Sequence, residues 1–111
     1  MSRLRIGLLT SLALAAAAVP GVALGGARAA RRHTVTLHEF RFHPGTLNIN
    51  RGDSVTWMWR DQVEHNVTFH GFHSRTQEHG TYTVRFNRAG TFNYHCTIHV
   101  SEGMRGKIVV H

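Results

Sequence analysis

A chain of 111 residues has room for one ordinary domain at most. Its formal net charge is +7, yet the basic residues form no stripe interleaved with aromatics, which argues against nucleic acid as a partner. The single cysteine, Cys96, excludes an internal disulfide, so its presence needs another explanation.

The N-terminus differs from the rest. Arg3 and Arg5 precede an apolar run from Ile6 to Val19, which Pro20 and Gly21 break and small residues follow. That is the layout of a secretory signal peptide. Ala27-Arg28-Ala29 places cleavage after Ala29, and Gly25 and Gly26 leave room for earlier sites. The run is shorter than the roughly 18 residues a bilayer span takes, so stable membrane insertion is not expected after cleavage. The expected organisation is a leader over residues 1–29 and one exported domain over 30–111, periplasmic or extracellular. Of the 13 basic residues, Arg3, Arg5 and Arg28 go with the leader; the 10 left against 6 acidic ones give +4. This scattered positive charge suits a solvated surface or an acidic docking partner.

The remaining elements alternate in chain order. In His33–Phe40, Val35 and Leu37 share one face; in Thr46–Asn50, Leu47 and Ile49 do; in Ser54–Trp59, Val55, Trp57 and Trp59 do. His65, Val67 and Phe69 align, then Tyr82, Val84 and Phe86, then Phe92, Tyr94 and Cys96, and finally Ile108 and Val110. A period of two over many short runs, separated by Gly, Asn and Asp turns, predicts an all-β sandwich or barrel.

Strand parity sorts the chemistry-bearing residues. Cys96 and His65 point inward with their apolar neighbours, while His95 points outward. His99 and Met104 fall in the loop before the last strand, where that loop can fold back toward Cys96. His65, Cys96, His99 and Met104 offer two imidazoles, a thiolate and a thioether. Zinc has little use for a thioether. Two His and one Cys in a plane with an axial Met suit copper in both oxidation states, Cu(II) and Cu(I).

The segments "FHPGTLNINRGDSVTWMW", "EHNVTF", "RAGTFNYHCTIHVSEGM" and "RGKIVV" resemble the cupredoxins of the plastocyanin and amicyanin type, from about His33 to His111. The resemblance implies a Greek-key β-sandwich and one type 1 copper ion, with His65, Cys96 and His99 equatorial and Met104 axial. It implies that the Asn66 side chain ties the first ligand segment to the cysteine loop. It also implies an electron port near His99, rimmed by Ile98, Val100, Pro44 and Gly45. Ile98 stands where many relatives have proline, which removes a local stiffener. The implied function is a monomeric electron shuttle between redox proteins, not an enzyme.

Two other readings use the same residues. One is a cell-envelope copper carrier or buffer. The other is a subunit of a larger copper oxidoreductase, with His95 bridging to a second copper. His33, His38, His43, His70, His73, His79, His95 and His111 leave room for a second metal site outside the main constellation.

Overall fold

The alternating runs become strands because a two-residue period puts all their apolar side chains on one face, and two such faces close over each other. The computed structural model describes residues 28–111, and the leader expected over 1–29 lies almost entirely outside the described residues. The strands are β1 (Arg32–His38), β2 (Arg41–His43), β3 (Thr46–Ile49), β4 (Ser54–Trp59), β5 (Thr68–Phe69), β6 (Thr81–Arg85), β7 (Gly90–His95) and β8 (Arg105–Val110), with a short 3-10 turn over Val100–Glu102. One sheet has the order β2-β1-β4-β6 and the other β3-β8-β7-β5. The pairs β1–β4 and β3–β8 are parallel; the remaining neighbours are antiparallel.

Val35, Leu37, Val55, Trp57 and Trp59 from the first sheet meet Phe69, Tyr94, Ile108 and Val110 from the second in one buried core. The Trp57 and Tyr94 rings meet edge to face, their centroids 5.3 Å apart at 86°, a preferred aromatic geometry. Burial pushes the Tyr94 hydroxyl up to about 12. Tyr94 lies opposite Gly106 across the β7–β8 pair. A Cβ on Gly106 would come within 2.5 Å of the Tyr94 phenol oxygen. Gly106→Ala is therefore expected to lower stability by about 1–3 kcal/mol through overpacking, read from denaturant midpoints.

The buried Asp53 closes the end of the sandwich where β1 begins. Its carboxylate accepts the backbone N–H of Arg31, the His33 Nε2–H, the backbone N–H of Asn50 and the Arg28 guanidinium, at 2.9 to 3.1 Å. These bonds, the Arg31 N–H foremost, hold Asp53 far below the ordinary carboxylate value of 3.8. A depressed folded-state pKa stabilises at neutral pH, and that contribution is lost as the pH falls below the unfolded value.

At the other end of β1, two expectations need correction. The first strand ends at His38, not Phe40. Glu39 and Phe40 form the β1–β2 turn, both with φ of 57°, a conformation costing an L-residue about 1–2 kcal/mol. Two contacts offset that cost: the Glu39 N–H donates to Asp61 Oδ2 at 3.1 Å, and the Phe40 ring lies 4.6 Å from the His99 ring. The second correction concerns His65, expected at the start of a strand. β5 contains only Thr68 and Phe69, and His65 sits in an irregular segment. An isolated bridge to Gln77 keeps His65 extended, so its inward orientation survives.

Candidate metal centre

Each side chain of the expected constellation is positioned by its backbone. His65 exchanges two backbone hydrogen bonds with Gln77, both 3.1 Å, and its carbonyl accepts the Trp59 indole N–H at 3.2 Å. Cys96 follows directly on β7. Its N–H donates to the Met104 carbonyl at 3.1 Å, and the Met104 N–H donates to the His99 carbonyl at 3.3 Å. Gly103, at φ 88°, turns the chain after the 3-10 segment so that these bonds can close. The loop thus folds back on the cysteine as strand parity and spacing suggested.

The structure brings His65, Cys96 and His99 together. The two Nδ1 atoms are 3.2 Å apart, and Cys96 Sγ lies 3.6 Å from His99 Nδ1 and 4.0 Å from His65 Nδ1. A metal at the centre of a trigonal plane, with bonds of about 2.0 Å to nitrogen and 2.3 Å to sulfur, separates these donors by about 3.5 to 3.7 Å. The triangle therefore fits one ion of that bonding radius with shifts of a few tenths of an ångström. His65, Cys96 and Met104 are fully buried and His99 is partly buried. Met104 ends the loop that holds His99 and is bonded through its backbone to both Cys96 and His99. His95 faces away and pairs with Thr68 and Arg105.

Asn66 is buried and uses its whole amide. Its Oδ1 accepts the Thr97 N–H at 3.0 Å and the Thr68 hydroxyl at 2.8 Å; its Nδ2 donates to Thr97 and Thr76 hydroxyls at 2.8 and 3.0 Å. The segment carrying His65 is thereby fastened to the residue after Cys96.

Asp61, which contacts the candidate ligand His65, is a residue of the site that sequence reasoning missed. Both its oxygens lie 3.1 to 3.2 Å from His65 Nε2. A carboxylate only accepts, so Nε2 carries the proton and Nδ1 is left as a lone pair facing the centre. Partial burial disfavours the Asp61 charge, but bonds from His65, Val63 N–H and Glu39 N–H outweigh it and lower its pKa. Asp61 precedes His65 by four residues, a spacing that carries no signal outside a helix. The intervening chain is irregular, and no strand or helix rule relates the two positions.

Phe40 was also missed as part of the site. Ile98 and Phe40 are exposed, at 44% and 42%, and Val100 is half-buried. Phe40 and Ile98 are apolar neighbours of His99 in space and in sequence. Pro44 and Gly45 are exposed in the β2–β3 connection.

Fold and site define a small β-sandwich protein with a nitrogen–nitrogen–sulfur metal centre at one end. The profile of the copper binding proteins, plastocyanin/azurin family, matches residues 29–111. The chain belongs to that family. It is 36% identical over 84 residues to amicyanin of Paracoccus denitrificans, an alignment covering 68% of this chain and 63% of that protein. It is 34% identical over 83 residues to chloroplastic plastocyanin of Tetradesmus obliquus, covering 62% and 57%. The matched region thus spans less than two thirds of either relative. The structure of a Cu(I) form of an amicyanin methionine variant superposes with a TM-score of 0.66 at 33% identity, covering 78% of this chain and 87% of that one. The fold and the copper chemistry expected from the residues agree with these likenesses.

Proposed function

We propose that this chain is an exported one-electron carrier that holds one copper ion through His65, Cys96, His99 and Met104 and passes electrons between redox proteins. The observation supporting this reading is the donor triangle, closed to within a few tenths of an ångström around buried Cys96 and His65. Copper held there supplies Cu(II)/Cu(I) chemistry, and no substrate is transformed. The rest is the chain's work. Asp61 holds His65 in one tautomer. Asn66 and the Cys96–Met104 backbone bond fix the distance between the ligand segments. A rigid donor set changes little between charge states, so little reorganisation opposes electron transfer. The core excludes water from the sulfur, while the His99 edge beside Ile98 and Phe40 gives a docked partner a short path to the centre. The partners are redox proteins with an apolar contact patch and an acidic surface complementing the chain's positive charge, +5 from 11 basic and 6 acidic residues when the chain begins at Arg28, and a monomeric carrier suits brief encounters.

Copper titration is expected to give one ion per chain, an intense visible band, and reversible one-electron voltammetry with fast self-exchange. Prompt loss of the copper to a chelator, with slow self-exchange, would support the carrier reading instead. Two coppers per native chain would support the oxidoreductase reading.

Export follows from the leader, and the fold bears on where it is cut. Cleavage after Ala29 would discard Arg28, which pairs with the buried Asp53 at 2.9 Å. A cut after Ala27, with small residues at Gly25 and Ala27, keeps that pair and satisfies the same rule. The intact mass of the exported protein is expected to correspond to a chain beginning at Arg28; a chain beginning at Ala30 refutes this.

A further inference from the structure

We propose that His38, Glu39 and His43, at the tip of the β1–β2 hairpin, form a second metal site for a divalent cation of the Zn(II), Cu(II) or Ni(II) class. One donor atom from each of the three residues lies within 4.8 Å of the others. His38 Nδ1 is 3.7 Å from Glu39 Oε1, and the two imidazole centroids are 6.1 Å apart. The register explains why they meet. Thr36 pairs with His43 and His38 with Arg41, so His38 and His43 stand diagonally on the same face of the hairpin.

The group has features that a chance cluster lacks. The His43 Nε2–H donates to the His38 carbonyl at 3.0 Å. A carbonyl only accepts, so this bond fixes the tautomer, leaves Nδ1 as the lone pair and orients the ring. Glu39 is held at φ 57° by its own N–H bond to Asp61, which sets the origin of its carboxylate. Two imidazoles and a carboxylate without sulfur favour a borderline divalent ion over Cu(I). Three protein donors leave further positions to water, as in an open site. The site is exposed, and Arg41 on the same face opposes a cation, so binding there is exchangeable. A bound ion would fasten the turn that presents Phe40 to His99, next to the other centre but sharing no ligand with it.

The test is calorimetric titration of Zn(II) into the copper-loaded protein, paralleled by NMR of the imidazole resonances. One Zn(II) per chain is expected, with His38 and His43 shifted and the visible copper band unchanged. His43→Ala and His38→Ala should each weaken binding about tenfold or more, whereas His79→Ala should not. No uptake, uptake indifferent to both substitutions, or uptake matched by loss of the copper band overturns the proposal.

Discussion

Replacing Cys96 by serine removes the intense visible absorption of the copper-loaded protein. The band requires a thiolate bonded to Cu(II), and a serine hydroxyl stays protonated at neutral pH. The visible absorptivity should fall about tenfold or more, and Cu(II) affinity about 100-fold, because an anionic ligand is exchanged for a neutral one. The side chain is fully buried, so the hydroxyl also costs about 1–2 kcal/mol of fold stability unless it finds a partner. The His65 and His99 nitrogens, 3.2 Å apart, would still bind Cu(II), with the weak colour of a nitrogen and oxygen site. Absorption and EPR spectra of the loaded variant decide the matter. A retained intense band would remove Cys96 from the ligand set, and with it the electron-carrier proposal.

Asp61→Asn raises the reduction potential. The carboxylate beside His65 Nε2 makes that imidazole a better donor and places negative charge near the centre. Both effects favour the more highly charged ion. Asparagine can still accept the Nε2–H through its carbonyl, so the ring keeps its orientation while the charge is lost, together with the Glu39 N–H bond that an amide nitrogen cannot accept. A loss of Cu(II) affinity about tenfold greater than that of Cu(I) moves the potential up by about 59 mV. Protein voltammetry reads that shift directly. Asp61→Ala should raise the potential similarly and also remove the acceptor that orients His65, and in both variants the Glu39–Phe40 turn loosens as it loses its bond to the carboxylate. Faster amide exchange at Glu39 would report the loosening. An unchanged potential in both variants would reduce Asp61 to a structural brace.

The two substitutions probe parts of the site that were unequally visible beforehand. Cys96 declared itself because a lone cysteine in a chain expected to be exported, three residues before His99 and eight before Met104, has few other uses. Its inward orientation followed from counting by twos from Phe92 and Tyr94, and β7 places it so. Such counting works wherever a strand is regular. It worked less well for His65, whose segment is not a strand and whose direction rests on the Gln77 bridge and the Trp59 indole. It failed for Phe40, which alternation put in a strand and the structure puts in a left-handed turn over His99.

Local order in the sequence thus determined the all-β class, the core faces of β1, β4, β7 and β8, and the four side chains able to hold copper. Side-chain type and a period of two are properties of neighbours in the chain, and they need no knowledge of the fold. The tertiary structure alone decided that Asp61 faces His65, that Phe40 covers His99, that Asp53 reaches Arg28, and that His38 and His43 share a face. Those relations join residues through turns and across strand pairs. Their geometry is set by how the sheets close, and no spacing rule encodes it.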